Sequence, residues 1–389
     1  MPKNTVDFQK QKKKRTAKKL IKKLRIPLVI LIAVMIFSII YAASGEVRRS
    51  NTADIFRAIP KTFGTSRGFP YNEDELSLDK VMLIGDKPLI VSETGVEVIS
   101  QAADELLLLR TEWSDSRVCS QNGRALVYSN TSDKVFLISR TTVLAELKEE
   151  GFPVTACLAD NGSFALTYST DKVQTVVKVY NPRQKLEFEW HCSKEYVSSV
   201  ALSPDGKTLF VAAVGVDNAE IYTRLLLFKT DKSEPKFDVK IEDTAMLKVY
   251  RQTGNKYIAV GDNKTVILTH GGKIKQEITY ADDALYTVDS DSKNNVLLCY
   301  KEFGGSKIKI IKIPKSGSEN RELEIDYLPS SIDIKGNEIA CALADTVKIY
   351  SVSGREKDSY TCAQDVGTVL ISNTGIYTLE NGSICKYQR

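Results

Sequence analysis

The sequence has few of the residues on which most enzyme sites depend. It contains only two histidines, His191 and His270, and both fall in predicted outer hairpins rather than near a central axis. That leaves little basis for a Ser-His-Asp triad or a histidine-rich metal site. P-loop, dinucleotide-binding, zinc-hydrolase and G-x-S-x-G signatures are absent. The sequence therefore predicts no catalytic residue, no cofactor, no cofactor-binding residue and no metal ligand.

Cysteine is also used in a way that excludes a framework of disulfides or a zinc site. The seven cysteines are Cys119, Cys157, Cys192, Cys299, Cys341, Cys362 and Cys385. Their number is odd, they form no C-x-x-C pair, and most lie in apolar runs such as NVLLCY. We expect them to pack as small buried hydrophobic residues. One disulfide bridge among them is the alternative.

One long hydrophobic run stands out from the rest of the chain. Residues 26–43 read IPLVILIAVMIFSIIYAA and carry no charge. As a helix they extend roughly 27 Å, close to the thickness of a bilayer core. The run therefore predicts a transmembrane helix.

The charges beside this run predict its orientation. Residues 1–25 hold eleven Lys and Arg against one acid, Asp7, whereas only Arg48 and Arg49 follow the run closely. This asymmetry predicts a cytoplasmic N-terminal tail that contacts anionic lipid, with the remainder extracytoplasmic. Since the whole chain carries +5 and the tail +10, the remainder carries −5, which speaks against nucleic acid binding.

A cleaved secretory signal peptide is the main alternative to an anchor. Ala42, Ala43 and Ser44 resemble a small-residue cleavage site. The apolar run, however, exceeds the roughly 7–15 residues usual for a signal peptide. We therefore predict an uncleaved anchor at residues 26–43, followed by a stalk or linker at residues 44–59.

The rest of the chain repeats a pattern of short strands. Polar turn pairs recur about every forty residues, beginning at Gly85-Asp86 and ending at Asn373-Thr374. Most are followed by an apolar strand, a second turn and another strand, as in RALVYS and KVFLI. Four strands in about forty residues are typical of a β-propeller blade. Residues 60–389 are therefore predicted to form an all-β propeller.

Eight blades fit the spacing best, with seven as the alternative. The last unit ends after SICKYQ with no fourth strand behind it. We predict that a strand over about residues 60–71 completes this blade and closes the ring. If that segment is only a stalk, seven blades is the better count.

One blade carries a motif known from other propellers. Residues 202–207 read LSPDGK, followed by TLFVAA, and this resembles the S-P-D-G-K-x-L turn of WD40-like and YVTN-type repeats. The G-H and W-D dipeptides of true WD40 repeats are missing. The arrangement of tail, anchor and propeller resembles a domain-of-unknown-function family of membrane-anchored WD40-like propellers of Gram-positive bacteria. This resemblance implies a fold and no activity.

Acidic residues and tryptophans decide whether a propeller enzyme is plausible. A metal site on the axis needs converging carboxylates, and Asp115, Asp160 and Asp283 are the candidates considered. Quinoprotein propellers repeat a tryptophan docking motif, but this chain has only Trp113 and Trp190. We interpret the segment ending at Trp190, residues 179–190, as an ordinary hairpin.

Two segments are candidates for contacts with partners. Residues 214–222 are predicted to be an irregular insertion between the second and third strands of the fourth unit, either a lengthened hairpin or a binding loop. Residues 54–68 are predicted to be either a stalk or a docking segment.

These patterns favour a non-enzymatic function. We expect a binding or scaffold module for a protein, peptide or cell-wall ligand. The alternative is a metal-dependent hydrolase or quinone-linked oxidoreductase with its site in the central channel.

Overall fold

The computed structural model describes residues 29, 31–36, 38, 46–61, 67–72, 78–252, 256–280, 285–291, 295–301, 304, 307–314 and 320–388. The basic tail and most of the predicted anchor lie outside these ranges, and the anchor residues inside them are helical and exposed. Within the described ranges, no helix combines the length and the apolar character needed to cross a membrane.

The chain from residue 80 onward folds into antiparallel sheets whose strands follow one another in chain order. Local turn chemistry explains this meander. Asn122 and Gly123, with φ of 50° and 77°, form the two-residue turn between the first two strands of the second blade. Asn and Gly tolerate positive φ at little cost, so tight hairpins follow from the sequence alone.

The strands of the first four blades have the following bounds. They are β1 (Lys80–Ile84), β2 (Lys87–Ser92), β3 (Gly95–Ile99), β4 (Glu105–Arg110), β5 (Arg117–Gln121), β6 (Arg124–Tyr128), β7 (Lys134–Ser139), β8 (Val143–Lys148), β9 (Phe152–Leu158), β10 (Phe164–Ser169), β11 (Thr175–Tyr180), β12 (Leu186–Cys192), β13 (Tyr196–Leu202), β14 (Thr208–Asp217), β15 (Glu220–Lys229) and β16 (Pro235–Glu242).

The last four blades continue the same order. Their strands are β17 (Met246–Gln252), β18 (Lys256–Gly261), β19 (Lys264–Leu268), β20 (Ile274–Thr279), β21 (Leu285–Ser290), β22 (Val296–Lys301), β23 (Ile308–Ile313), β24 (Arg321–Ile325), β25 (Ser331–Lys335), β26 (Glu338–Leu343), β27 (Thr346–Ser351), β28 (Glu356–Thr361), β29 (Val366–Ile371), β30 (Ile376–Glu380) and β31 (Ser383–Tyr387).

The hydrophobic core lies between the blades. In the described residues it divides into eight clusters, and each cluster draws its side chains from two neighbouring blades. A blade buries both faces only when a neighbour covers each of them, so radial packing follows from the strand pattern. Eight interblade clusters confirm the prediction of eight blades over seven.

The ring closes between the last blade and the first. Tyr71 forms a β-bridge with Ile384 in β31, with N–H···O distances of 2.8 Å in both directions. The Tyr71 hydroxyl also donates to Oε1 of Glu97 in β3, at 2.8 Å. The predicted closing strand over residues 60–71 is thus wrong in extent. Closure rests on Tyr71, because Pro60 and Lys61 belong to a helix and residues 62–66 lie outside the described ranges.

The propeller has two faces at the ends of its channel. The bottom face carries the turns between the first and second strands, where the Asn161 N–H donates to the carbonyl of Pro204 at 3.0 Å. The top face carries the loops that lead into each first strand and the turns between second and third strands. There the Asp243 N–H donates to the Ile221 carbonyl at 2.9 Å.

A helix, α1 (Glu46–Lys61), lies across the bottom face. We expected residues 44–59 to be a stalk, but Asp54 of this helix is buried against the second blade. Its carboxylate accepts hydrogen bonds from Ser139 Oγ at 2.8 Å and from Thr141 Oγ1 at 2.6 Å, and pairs with Arg140 at 3.3 Å. Of the two alternatives for residues 54–68, stalk or docking segment, the second holds for the part that belongs to α1.

Candidate functional site

The acidic residues considered for an axial metal site do not converge. Asp115 lies in a loop of the top face and pairs with Arg117 at 2.8 Å. Asp160 lies in a turn of the bottom face and accepts a hydrogen bond from Gln121 at 2.6 Å. Asp283 is outside the described residues. Among the residues that are described, no three His, Cys, Asp or Glu are grouped so that they could hold a metal ion.

The two histidines lie in the outer hairpins of their blades, as predicted. His191 is in β12, the fourth strand of its blade, and its Nε2 is 2.8 Å from Oε1 of Glu189. His270 lies in the turn between β19 and β20, where its ring stacks on Tyr257. Burial, followed by the nearby charge of Lys236, lowers the pKa of His270 below its ordinary value.

The cysteines behave mainly as packing residues. All seven are free thiols, and Cys192, Cys299, Cys341 and Cys362 are buried. Burial raises the pKa of Cys299 and of Cys341 to about 12 each, which leaves both as neutral thiols at physiological pH. Residues 179–190 form the β11–β12 hairpin, and Trp190 packs on Phe228 with ring centroids 5.0 Å apart.

A pair of carboxyl groups, not anticipated from the sequence, lies in the channel wall. Asp289 of β21 and Asp333 of β25 are hydrogen-bonded to each other. Burial raises the pKa of both, and the adjacent Asp289 charge raises that of Asp333 further. Two carboxyls this close cannot both ionise cheaply, so Asp333 holds the shared proton.

This pair joins neighbouring blades. Asp289 accepts the N–H of Ile334 at 3.0 Å, and Asp333 accepts the N–H of Ile371 in the next blade. Lys248 of β17 supplies a positive charge that lowers the pKa of Asp289 in part. These hydrogen bonds connect the first strands of blades six, seven and eight around the channel. Such contacts between strands are typical of a structural role.

The top face carries most of the exposed hydrophobic side chains of the propeller. These are Phe152, Val154, Tyr196, Val216, Ile221, Leu247, Tyr286, Tyr327 and Leu328. Tyr327 is 76% exposed, Tyr196 59% and Leu247 57%. Among described residues of the propeller, the other large exposed hydrophobic side chains are Val143, Leu186 and Ile274, each of which begins a fourth strand.

These top-face residues surround the mouth of the channel. Phe152 and Tyr196 begin the first strands of blades three and four, and Leu247 and Tyr286 are the second residues of the first strands of blades five and six. Tyr327 lies in the loop that enters blade seven. Because first strands line the channel of a propeller, five consecutive blades place an apolar or aromatic side chain at its rim. We call these five residues the rim cluster.

A hairpin projects from the top face beside the rim cluster. Residues 214–222, predicted to be an irregular insertion, instead continue β14 and β15 as a regular hairpin, at the end of a ladder of ten antiparallel pairs that begins at Thr208 and Lys229. Asn218 and Ala219, with φ of 49° and 65°, make a two-residue turn at its tip. Val216 is 66% exposed near this tip. The hairpin therefore adds an ordered apolar edge to the top face.

A polar network fixes the base of this hairpin. Glu195, in the loop that enters β13, accepts hydrogen bonds from the Tyr222 hydroxyl at 3.1 Å and from Arg224 at 3.2 Å. Arg224 also pairs with Asp238 of β16. Burial alone would raise the pKa of Glu195, but hydrogen bonds from Cys192, Tyr222 and Arg224 outweigh it and lower the pKa. The ionised carboxylate thus holds the hairpin to the loop.

Neither the rim cluster nor the carboxyl pair was predicted. The rim residues are single positions spaced about forty residues apart, each beside a turn, so no local window contains more than one or two. Aligning the repeats would have shown only that an apolar or aromatic residue stands within the first two positions of the first strand in blades three to six, and four residues before it in blade seven.

Comparison with known proteins identifies a family and gives no activity. The model of the DUF5711 family, described as a family of unknown function, matches residues 70–384. No curated protein sequence matches the chain. The expected membership of a family of unknown function is therefore confirmed, whereas the membrane anchor and the Gram-positive origin stay predictions.

Several solved structures are similar to this chain. BamB from Moraxella catarrhalis is 11% identical, with 82% of this chain and 99% of that chain covered and a TM-score of 0.49. The Cps50 (Swd1) β-propeller domain of Myceliophteria thermophila is 10% identical, with 82% and 98% covered and a TM-score of 0.49. Kuenenia stuttgartiensis hydrazine synthase is 14% identical, with 84% and 99% covered and a TM-score of 0.46. Because the family match spans nearly the whole propeller, this chain belongs to the DUF5711 family.

Proposed function

We propose that this protein is a membrane-tethered, extracytoplasmic binding module whose top face receives a protein partner. The rim cluster is the observation that carries the proposal. Apolar patches on a solvent-exposed surface mark interaction sites, and aromatic residues are enriched at the centre of protein interfaces. Tyr196, Leu247, Tyr286 and Tyr327 supply such side chains from four consecutive blades.

The rigidity of the top face supports the same proposal. The β14–β15 hairpin is held by Glu195 and Tyr222, and Lys240 Nζ lies 4.7 Å from the centroid of the Tyr222 ring. A surface that is ordered before binding loses less conformational entropy when a partner docks. An ordered hairpin beside the rim cluster is therefore suited to one specific partner.

The tether is supported by the sequence. Residues 26–43 are long and apolar enough for one span, and the charges of residues 1–25 orient the N-terminus toward the cytoplasm. The chain enters the propeller through α1 on the bottom face, so the rim cluster lies on the opposite face from the tether. A partner is then met on the side away from the membrane.

A channel enzyme is the second candidate, favoured by one observation. Asp289 and Asp333 share a proton in the channel wall beside the charge of Lys248. Proton-sharing carboxyls are also found at catalytic sites. We favour the structural interpretation because both carboxyls are engaged with backbone N–H groups of the adjacent blade.

The test compares two triple variants of the full chain in native membranes after protein crosslinking. The first is Tyr196→Ser, Leu247→Ser, Tyr286→Ser. The matched control, Val143→Ser, Leu186→Ser, Ile274→Ser, removes exposed apolar side chains from the edges of the blades instead. Interface anchors each contribute about 2 kcal/mol or more, so we expect recovery of the crosslinked partner to fall at least about tenfold in the first variant only.

Two results would overturn the proposal. One is equal recovery of the partner by the first variant and the wild type. The other is loss of recovery in both triple variants, which would place the contact on the blade edges. Retention on isolated cell-wall glycan that depends on the same three residues would replace the protein partner with a glycan and keep the binding module.

A further inference from the structure

The helix α1 has two distinct sides. One side faces the propeller: Asn51 donates to the carbonyl of Asn122 at 3.1 Å, Asp54 is buried, and Ala58 packs on the cluster between the first two blades. These residues, at spacings of three and four, form one stripe of a helix. This docked stripe fixes how α1 is rotated on the bottom face.

Outside the docked stripe, the exposed surface of α1 is apolar and basic. Ile55 is 61% exposed and Phe56 60% exposed. Arg48, which is also exposed, lies seven residues before Ile55 on the same flank of the helix, and exposed Arg57 lies on the other flank of Phe56. Two large hydrophobic side chains flanked by arginines are the composition of a helix that lies in a membrane interface. We call these four residues the outer stripe.

The outer stripe lies close in sequence to the predicted anchor. That anchor ends at residue 43, and α1 begins at Glu46. An extended residue spans at most about 3.6 Å, so the start of α1 lies within roughly 11 Å of the end of the anchor. Of these four residues, Arg48 and Ile55 line an open groove of about 590 Å³ between α1 and the turns of blades two and three, so the propeller does not cover them.

We propose that the outer stripe of α1 lies in the head-group region of the membrane and contacts anionic phospholipids. This rests on the proposed tether at residues 26–43. Ile55 and Phe56 are then buried at the boundary with the acyl chains, while Arg48 and Arg57 face lipid phosphates. Because the docked stripe fixes α1 on the propeller, this contact turns the bottom face toward the bilayer and the rim cluster away from it.

The test places a photo-crosslinking benzophenone amino acid at one of two exposed aromatic positions. One full-length protein carries it in place of Phe56, and the matched control carries it in place of Tyr327 on the top face. Each is reconstituted into vesicles of phosphatidylcholine and phosphatidylglycerol, irradiated, and analysed by mass spectrometry. We expect lipid adducts at position 56 at least tenfold above those at position 327, and more of them as phosphatidylglycerol increases.

The outcomes separate this contact from the tether. A protein that floats with the vesicles but forms no lipid adduct at position 56 would overturn the contact and keep the tether. A protein that does not float would overturn both. Adducts of position 56 with a second copy of the chain, or equal lipid labelling at 56 and 327, would also overturn the contact. A full chain with Ile55→Ser and Phe56→Ser should keep the wild-type melting temperature, since both side chains are exposed.

Discussion

The hydroxyl of Tyr222 lies 3.1 Å from Oε1 of Glu195 and joins the projecting hairpin of blade four to the loop that enters the same blade. The backbone of Gly215, on the opposite strand of the hairpin, makes room for this ring. A Cβ at Gly215 would lie 2.6 Å from Cζ of Tyr222 and 3.0 Å from Cγ of Glu195. The contact therefore depends on a glycine at this position.

Replacing Gly215 with alanine should displace the Tyr222 ring and break its bond to Glu195. We expect a loss of about 1–3 kcal/mol in the free energy of unfolding from the added bulk and the lost hydrogen bond. Amide hydrogen exchange in β14 and β15 should accelerate. The control Gly367→Ala, where the nearest atom to the new Cβ would be 3.8 Å away, should leave both measurements unchanged. Unchanged exchange in Gly215→Ala would disprove the role of Tyr222.

The Asp54 carboxylate should be the main contact that holds α1 on the propeller. Asp54→Ala removes the acceptor for Ser139, Thr141 and Arg140, so α1 should detach while the ring stays closed through Tyr71. Limited proteolysis should cleave residues 46–61 at least several-fold faster in this variant. Asp171→Ala, which removes an exposed aspartate, is the control. Equal cleavage rates would show that other contacts suffice.

The fold was largely predictable because its signals are local. Polar turns such as Asn122-Gly123 recur with each blade, and positive φ at these residues specifies the hairpins. The helix α1 was missed because its docked stripe is partly polar. Asn51 and Asp54 bind turns of the propeller through hydrogen bonds, so hydrophobic periodicity does not reveal them. The bridge from Tyr71 to β31 is likewise a single pair, so it leaves no strand pattern to detect.

The candidate site was less predictable because it is assembled from distant parts of the chain. Tyr196 and Tyr286 are ninety residues apart and come to lie on one rim, two blades apart, only when the blades pack around the channel. Asp289 and Asp333 each look like an ordinary polar residue in a strand. Their shared proton arises from burial and from the next blade, and neither is visible in a local window.

Stability should depend on the protonation of Asp333. Its pKa is raised by burial and by Asp289, so the folded state keeps a proton that the unfolded chain releases above about pH 4. This contribution to stability therefore declines as pH rises from about 4 toward the folded pKa. Asp333→Asn mimics the protonated acid and should be more stable than wild type at pH 8, with little difference at pH 4.

Melting temperatures of the wild type and Asp333→Asn across this pH range test the shared proton. Asp289→Asn is the informative partner variant, because it removes the neighbouring carboxyl that helps to raise the pKa of Asp333. If Asp333→Asn is destabilised equally at pH 4 and pH 8, Asp333 is ionised in the folded protein and the assignment of the proton is wrong.

The hydroxyl of Tyr71 should contribute to ring closure. Tyr71→Phe removes its hydrogen bond to buried Glu97, and we expect a loss of about 1–3 kcal/mol, seen as a melting temperature lower by a few degrees. Tyr327→Phe, at an exposed tyrosine of the top face, should melt as the wild type does. Similar melting of both variants would show that the Tyr71 hydroxyl does not contribute to ring closure.

Photo-crosslinking from position 327 in native membranes tests the proposed function most directly. A benzophenone amino acid in place of Tyr327 should crosslink to one specific protein, and Leu247→Ser with Tyr286→Ser in the same chain should reduce that adduct at least about tenfold. The same probe in place of Ile274, on a blade edge, should not capture that protein. Capture of the same proteins from positions 327 and 274 would contradict a binding site on the top face. So would an adduct whose yield is unchanged by Leu247→Ser with Tyr286→Ser.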